Sequence, residues 1–171
     1  MSLKPAINQN DHRQGGNDAV ITIVEFGDYQ CPYCGAAYPI VKEIQETFGE
    51  QVTFVFRNFP LAESHQYATA AAKAAEAAAL QGKFWEMHDA IYEKQHQLNE
   101  SFLAELANQL SLDVDRFQVD MESDAVRQKV EDDFESGVRS GVNGTPSFFV
   151  NGEKFDGGAT DLYQMLQEST Q

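Results

Sequence analysis

The sequence predicts an α/β domain with a central mixed sheet, split by a large helical insertion. Three observations predict it. A β-branched apolar run, AVITIVEF at 19–26, is followed by a helical stretch and then by a second strand-like run, QVTFVFRNF at 51–59, the order of a β–α–β unit. From residue 62 to residue 141 the apolar pattern is helical throughout. After that block, SFFVNGEKF returns to a strand pattern around Asn151-Gly152, a strong hairpin signal.

Taken in order, residues 1–18 read as a polar lead-in, and 19–26 as a strand buried on both faces. Gly27 and Asp28 break that run. Pro32 suits the first turn of a helix, where no backbone donor is needed, and the helix continues to about Gly49. Pro39 lies within it and predicts a kink. The strand at 51–59 is aromatic and alternating. Helices follow at 64–81, which is Ala-rich, at 83–97 and at 100–110, where Phe102, Leu103, Leu106 and Leu110 share one side. A short helix over 113–120 and a longer one over 123–140 complete the block, which ends at Gly141, Asn143 and Gly144. A last helix spans 160–168. The domain reading is therefore a lead-in (1–18), an α/β domain (19–61 and 142–171) and an inserted helical domain (62–141).

Within the insertion, the alanines of 68–79 suit close helix packing, and Phe84, Trp85 and Met87 read as core. Glu131, Asp132, Asp133 and Glu135 read as a solvated helix face.

Twelve basic residues against 27 acidic ones give a net charge of -15. Such a chain repels polyanions, which argues against nucleic acid and anionic membranes as partners. No apolar run approaches the ~20 residues of a membrane span. The N-terminus lacks the apolar h-region of a secretory signal. The chain as it stands reads as cytoplasmic and monomeric; a periplasmic location requires a signal upstream of it.

The two cysteines, Cys31 and Cys34, enclose only Pro32 and Tyr33. A disulfide closing so small a loop adds little stability by chain entropy, so the pair is not a staple. A strand-to-helix junction suggests redox chemistry instead. Unpaired N–H groups and the positive end of the helix dipole stabilise a thiolate on Cys31, and Cys34 follows one turn later as resolving thiol. Zinc needs about four ligands, and His12, His65, His88 and His96 show no ligand-pair spacing. Inert cysteines remain the other alternative. No cofactor is called for, and no metal.

Gly144-Thr145-Pro146-Ser147 precedes the late strand. Taken alone, Pro146 is a loop proline whose preceding bond is trans by base rate. Asn143-Gly144-Thr145 matches a glycosylation sequon, a chance three-residue match. His65 and Tyr67 follow the second strand and carry no assignment.

Together, VEFGDYQCPYCG, the helical block and GTPSFFVNG resemble the DsbA-like proteins of the thioredoxin superfamily, across residues 19–170. The resemblance implies a thioredoxin-like fold with its insertion between the second strand and the cis-proline strand, and a bacterial thiol–disulfide oxidoreductase acting on protein clients. It implies that Cys31 attacks and Cys34 resolves, that Pro146 is a cis-proline facing the pair, and that Thr145 and Pro146 bind client backbone as an added strand. Glu25, six residues before Cys31, matches a buried acid of that family that relays protons, with Asp28 the weaker candidate. Tyr33 stands where strong oxidases of the family carry histidine, and it supplies no positive charge at neutral pH. The sequence therefore predicts a couple milder than DsbA's ~−120 mV, near the glutaredoxin range of about −200 to −230 mV. CPYC is also a glutaredoxin signature, and Thr145-Pro146 with GGATD (157–161) resembles glutathione-binding elements. A glutathione-linked reductase is thus the second enzyme reading, with glutathione or another redox partner recycling the pair. A non-catalytic client-binding module is the third reading.

Overall fold

The computed structural model describes residues 1–169. The apolar run becomes strand β2 (Ile21–Gly27), in which Ile23, Val24, Glu25 and Phe26 are consecutively buried. Helix α1 (Pro32–Phe48) follows and runs through Pro39; Gly49, at φ +53°, ends it in the left-handed conformation that glycine tolerates. Strand β3 (Val52–Asn58) is buried at all seven positions rather than alternately. It lies inside the sheet, and a strand covered on both faces has no solvent side to mark.

Among the described residues the sheet has five strands, in the order β1 (His12–Gly15), β3, β2, β4 (Ser147–Val150) and β5 (Glu153–Phe155), and is mixed. Strand β4 (Ser147–Val150) pairs antiparallel with β2, and β5 (Glu153–Phe155) antiparallel with β4. Asn151 and Gly152 between them have φ of 49° and 84°, the left-handed pair that a two-residue hairpin turn requires. Helix α7 (Ala159–Ser169) packs on α1 through Phe48 and Tyr163, whose ring centroids lie 6.1 Å apart. Fully buried Phe26, Phe54, Phe56, Phe148 and Phe149 form the sheet's core, each worth about 1.5–3 kcal/mol of burial.

Residues 1–18 are not a bare lead-in. His12–Gly15 form strand β1, antiparallel to β3, with His12 opposite Phe56. This strand carries no apolar run because it lies at the sheet's edge, half in water. Leu3 is buried, and its N–H donates to Gly152 O. Asp11 meets Arg57 of β3 in a bidentate pair, with Nε to Oδ1 and Nη2 to Oδ2 both 2.8 Å. The remaining Arg57 N–H groups reach Pro5 O, Ala6 O and Ser136 Oγ, so this buried guanidinium has an acceptor for every donor.

Two compact units result. The first comprises Met1–Gly27, Pro32–Arg57 and the residues from Glu135 onward, and contains the sheet. The second comprises Asp28–Cys31 and Asn58–Phe134; its helical stretch starts four residues before, and ends seven residues before, the 62–141 read from sequence. It contains α2 (Ala68–Ala79), α3 (Phe84–Glu93), a 3-10 turn at Gln95–Gln97, α4 (Glu100–Gln109), α5 (Val114–Met121) and the part of α6 (Asp124–Arg139) up to Phe134. Buried alanines let α2 pack against α3, α4 and α5. Asn99 and Asp113 cap α4 and α5, accepting from Phe102 N and Arg116 N.

Phe84 and Met87 are buried there, and Trp85 is half-buried. Asp133 is a correction. It does not lie on the solvated face with Glu131, Asp132 and Glu135 but is buried. Its Oδ2 accepts from Asn58 N and Nδ2, at 3.0 and 2.9 Å, and its Oδ1 accepts from Lys129 Nζ at 2.7 Å. Those three donors replace water, which is the condition for burying a carboxylate.

Candidate active site

The chain leaves β2 at Gly27 and reaches α1 through four residues, Asp28–Cys31. Each of these four is held. Cys31 N donates to Asp28 O at 3.1 Å, closing a turn, and Gln30 N donates to Asp28 Oδ1 at 2.8 Å. The Asp28 carboxylate is fully buried. Its Oδ2 accepts from Leu61 N at 3.0 Å and lies 2.7 Å from His65 Nδ1. Gln30 Oε1 accepts from Tyr67 N at 2.6 Å. The Tyr29 hydroxyl lies 2.9 Å from His88 Nδ1, and its ring packs on Tyr92, with centroids 4.9 Å apart. Gln95 Nε2 donates to Tyr29 O and to Cys31 O, both at 2.8 Å.

Cys31 immediately precedes Pro32, the first residue of α1, and Cys34 lies in that helix's first turn. Both cysteines are buried: Cys31 is 4% exposed and Cys34 is fully buried. The first turn of α1 carries no acidic side chain, so nothing on it opposes the positive end of the helix dipole. Pro32 is exposed and Tyr33 is 76% exposed.

Glu25 is buried in the middle of β2, opposite Phe148. Gly27 makes room beside it: a Cβ there would come within 2.9 Å of both Glu25 Oε2 and the Phe56 ring. The Thr145–Pro146 peptide is cis. Ser147, the next residue, pairs with Phe26, so Pro146 sits at the end of the sheet where β2 finishes. Ser147 Oγ donates to Gly144 O at 2.7 Å and closes the proline loop. A groove of about 490 Å³ runs along the first unit, lined by Tyr33, Ala36, Ile40, Thr145, Pro146 and Gly158, among others. It brings together Tyr33, Thr145 and Pro146, and with them residues 157–161 of the GGATD stretch. Glu25 is not among its lining residues.

Sequence reasoning missed Gln95 and left His65 unassigned. Both act on the cysteine turn from far along the chain: Gln95 lies 64 positions after Cys31 and His65 lies 37 positions after Asp28. No local pattern marks either one. Among the described residues no cluster of three or more His, Cys, Asp or Glu is placed to hold a metal ion, and no helix is long and apolar enough to cross a membrane.

A family model described as thioredoxin matches residues 7–167. Among curated proteins, a Na(+)/H(+) antiporter NhaA 1 of Salinispora arenicola is 42% identical over 155 residues, covering 91% of this chain and 24% of that protein. The chain thus spans about a quarter of the length of the curated relatives it matches. Among solved structures, a thioredoxin-like oxidoreductase from Silicibacter pomeroyi is 30% identical with a TM-score of 0.84, covering 95% of this chain and 94% of that one. BdbD from Bacillus subtilis is 26% identical with a TM-score of 0.84, covering 99% and 95%.

Proposed function

The chain belongs to the thioredoxin family, and from that premise we propose that it is a DsbA-like thiol–disulfide oxidoreductase that exchanges disulfides with protein clients through Cys31 and Cys34. One observation carries the reading. Cys31 sits at the dipole-positive start of α1, in a turn fixed on both sides, with Cys34 one turn along the same helix.

In the reductive direction the Cys31 thiolate attacks one sulfur of a client disulfide. That bond breaks, the departing client thiolate takes up a proton, and a mixed disulfide forms. Cys34 then loses its proton and attacks the Cys31 sulfur. The Cys31–client bond breaks and the second client thiol leaves. Two electrons have passed to the client, and Cys31–Cys34 is now a disulfide. The reverse sequence oxidises a client dithiol.

Glu25, a buried carboxylate in the same unit as Cys34, is the group proposed to accept and return the Cys34 proton. Thr145 and Pro146 are proposed to pair with extended client backbone, with the groove beside Tyr33 receiving client side chains. A periplasmic location would favour the oxidase direction and a cytoplasmic one the reductase direction.

The test is reduction of insulin by dithiothreitol, with the wild-type chain against Cys31→Ser. Faster precipitation with the wild type alone supports the proposal; equal rates support a client-binding module without catalysis. A second reading has its own support, because Gly157, Gly158 and Asp161 line the groove with Thr145 and Pro146. That set is the glutathione-linked alternative. Turnover of a glutathione mixed disulfide faster than of insulin would favour it.

A further inference from the structure

We propose that Gln95 is a positioning residue for Cys31, holding the turn in the form that favours the thiolate. The inference rests on Cys31 being the attacking sulfur. It starts from the backbone. Pro32 restricts the preceding residue, Cys31, to extended conformations and offers no N–H of its own. The Cys31 N–H is tied to Asp28 O, which fixes the peptide before the residue. The peptide after it is fixed by Gln95, whose amide nitrogen donates to Cys31 O and also to Tyr29 O, each at 2.8 Å. Both peptide planes flanking the sulfur-bearing residue are thereby set, one by the turn itself and one by a side chain from the 3-10 segment at 95–97.

The electrostatic consequence follows. A carbonyl oxygen carries the negative end of the peptide dipole. Two such oxygens, on Tyr29 and Cys31, are drawn to one amide group and neutralised by it. Without that donor the turn loses the bond that orients these dipoles, and a negative sulfur at Cys31 loses the benefit of their placement. A carboxylate in place of the amide would set an acceptor, with negative charge, against both oxygens.

Gln95 is half-buried and bonds the turn through its amide, so variants of similar length separate the donor from the packing. Gln95→Met removes the donor. Gln95→Glu replaces it with an acceptor. The readout is the pH midpoint of Cys31 thiolate absorbance, with the glutathione equilibrium constant of the pair measured alongside. The proposal expects the midpoint to rise in both variants, more in Gln95→Glu, by ~0.5 pH unit or more, which is about threefold in thiolate fraction. The equilibrium constant should shift toward the disulfide in the same order, because the reduced form has lost stabilisation. Midpoints and equilibria equal to wild type in folded variants would overturn it. If a variant fails to fold, the wild-type chain supplies the test. The Gln95 side-chain amide signal in NMR should move when the cysteines are oxidised, and an unmoved signal overturns the proposal. Failure of the underlying reading looks different: the wild-type chain itself would show no titrating thiolate at Cys31.

Discussion

Replacing Asp28 with alanine tests whether the cysteine turn is built around that carboxylate. The side chain is fully buried and accepts from Gln30 N, Leu61 N and the His65 ring. Removing it strands two backbone donors and one imidazole contact. Gln30 and Leu61 are half-buried, so water reaches them in part, and the low end of the penalty for an unmet donor applies, about 1 kcal/mol each. With a similar amount for the imidazole contact, Asp28→Ala should cost about 3 kcal/mol. That is a large share of a typical ~5–15 kcal/mol domain stability. Asp28→Asn should cost less, because its amide still offers one acceptor but turns a donor toward the other partner. Urea unfolding followed by the fluorescence of the single tryptophan, Trp85, reads this directly. A midpoint lower by ~1–2 M at unchanged slope is expected for the alanine variant. Stability within ~0.5 kcal/mol of wild type would refute the reasoning, since a side chain with these partners cannot be energetically silent.

Asp11→Ala leaves the buried Arg57 guanidinium without its bidentate partner and should cost ~3–5 kcal/mol, whereas replacing both residues by apolar ones should cost less; chemical denaturation of the single and double variants checks this. The Asp133 carboxyl is held above the ordinary carboxylate range mainly by burial, with Glu76 adding to the shift and Lys129 and the Asn58 backbone opposing it. The folded chain therefore holds this proton at a pH where the unfolded chain has released it, so this contribution to stability is intact below the unfolded value of 3.8 and is lost as pH rises through the folded one. Asp133→Asn should lack that component, seen as a shallower loss of stability between acid and neutral pH in melts across that range. Tyr33→His should make the couple more oxidising than the wild type, whose potential is expected near −200 to −230 mV, roughly the glutaredoxin range; equilibration with glutathione measures both, and a wild-type value as oxidising as ~−120 mV would contradict the role given to Tyr33.

What was legible in the sequence was local. Pro32 announced the start of α1, Gly49 its end, and Asn151-Gly152 the hairpin, because each is a short-range conformational demand. The strand at 19–26 was legible because continuous burial leaves a continuous apolar run. Strand β1 was not, since HRQG sits at an edge and draws its bonds from β3 rather than from its own apolarity. Asp133 was misread because a run of acids gives no sign of which one meets Asn58, 75 residues earlier. Cys31 and Cys34 announce themselves by their spacing, whereas Pro146, alone a plain loop proline, was singled out only through the family resemblance. The residues that set the geometry around Cys31, namely Gln95 and His65, are common polar side chains brought in by tertiary folding, and no spacing rule finds them.

The most direct test of the account is trapping. Cys34→Ser removes the resolving thiol and leaves the attacking one, so incubation with a disulfide-bonded client should accumulate a mixed disulfide that peptide mass mapping assigns to Cys31, while Cys31→Ser should trap none. A client adduct on Cys34 in the Cys31→Ser chain, or no adduct in either, would contradict the assignment of attack to Cys31 and resolution to Cys34.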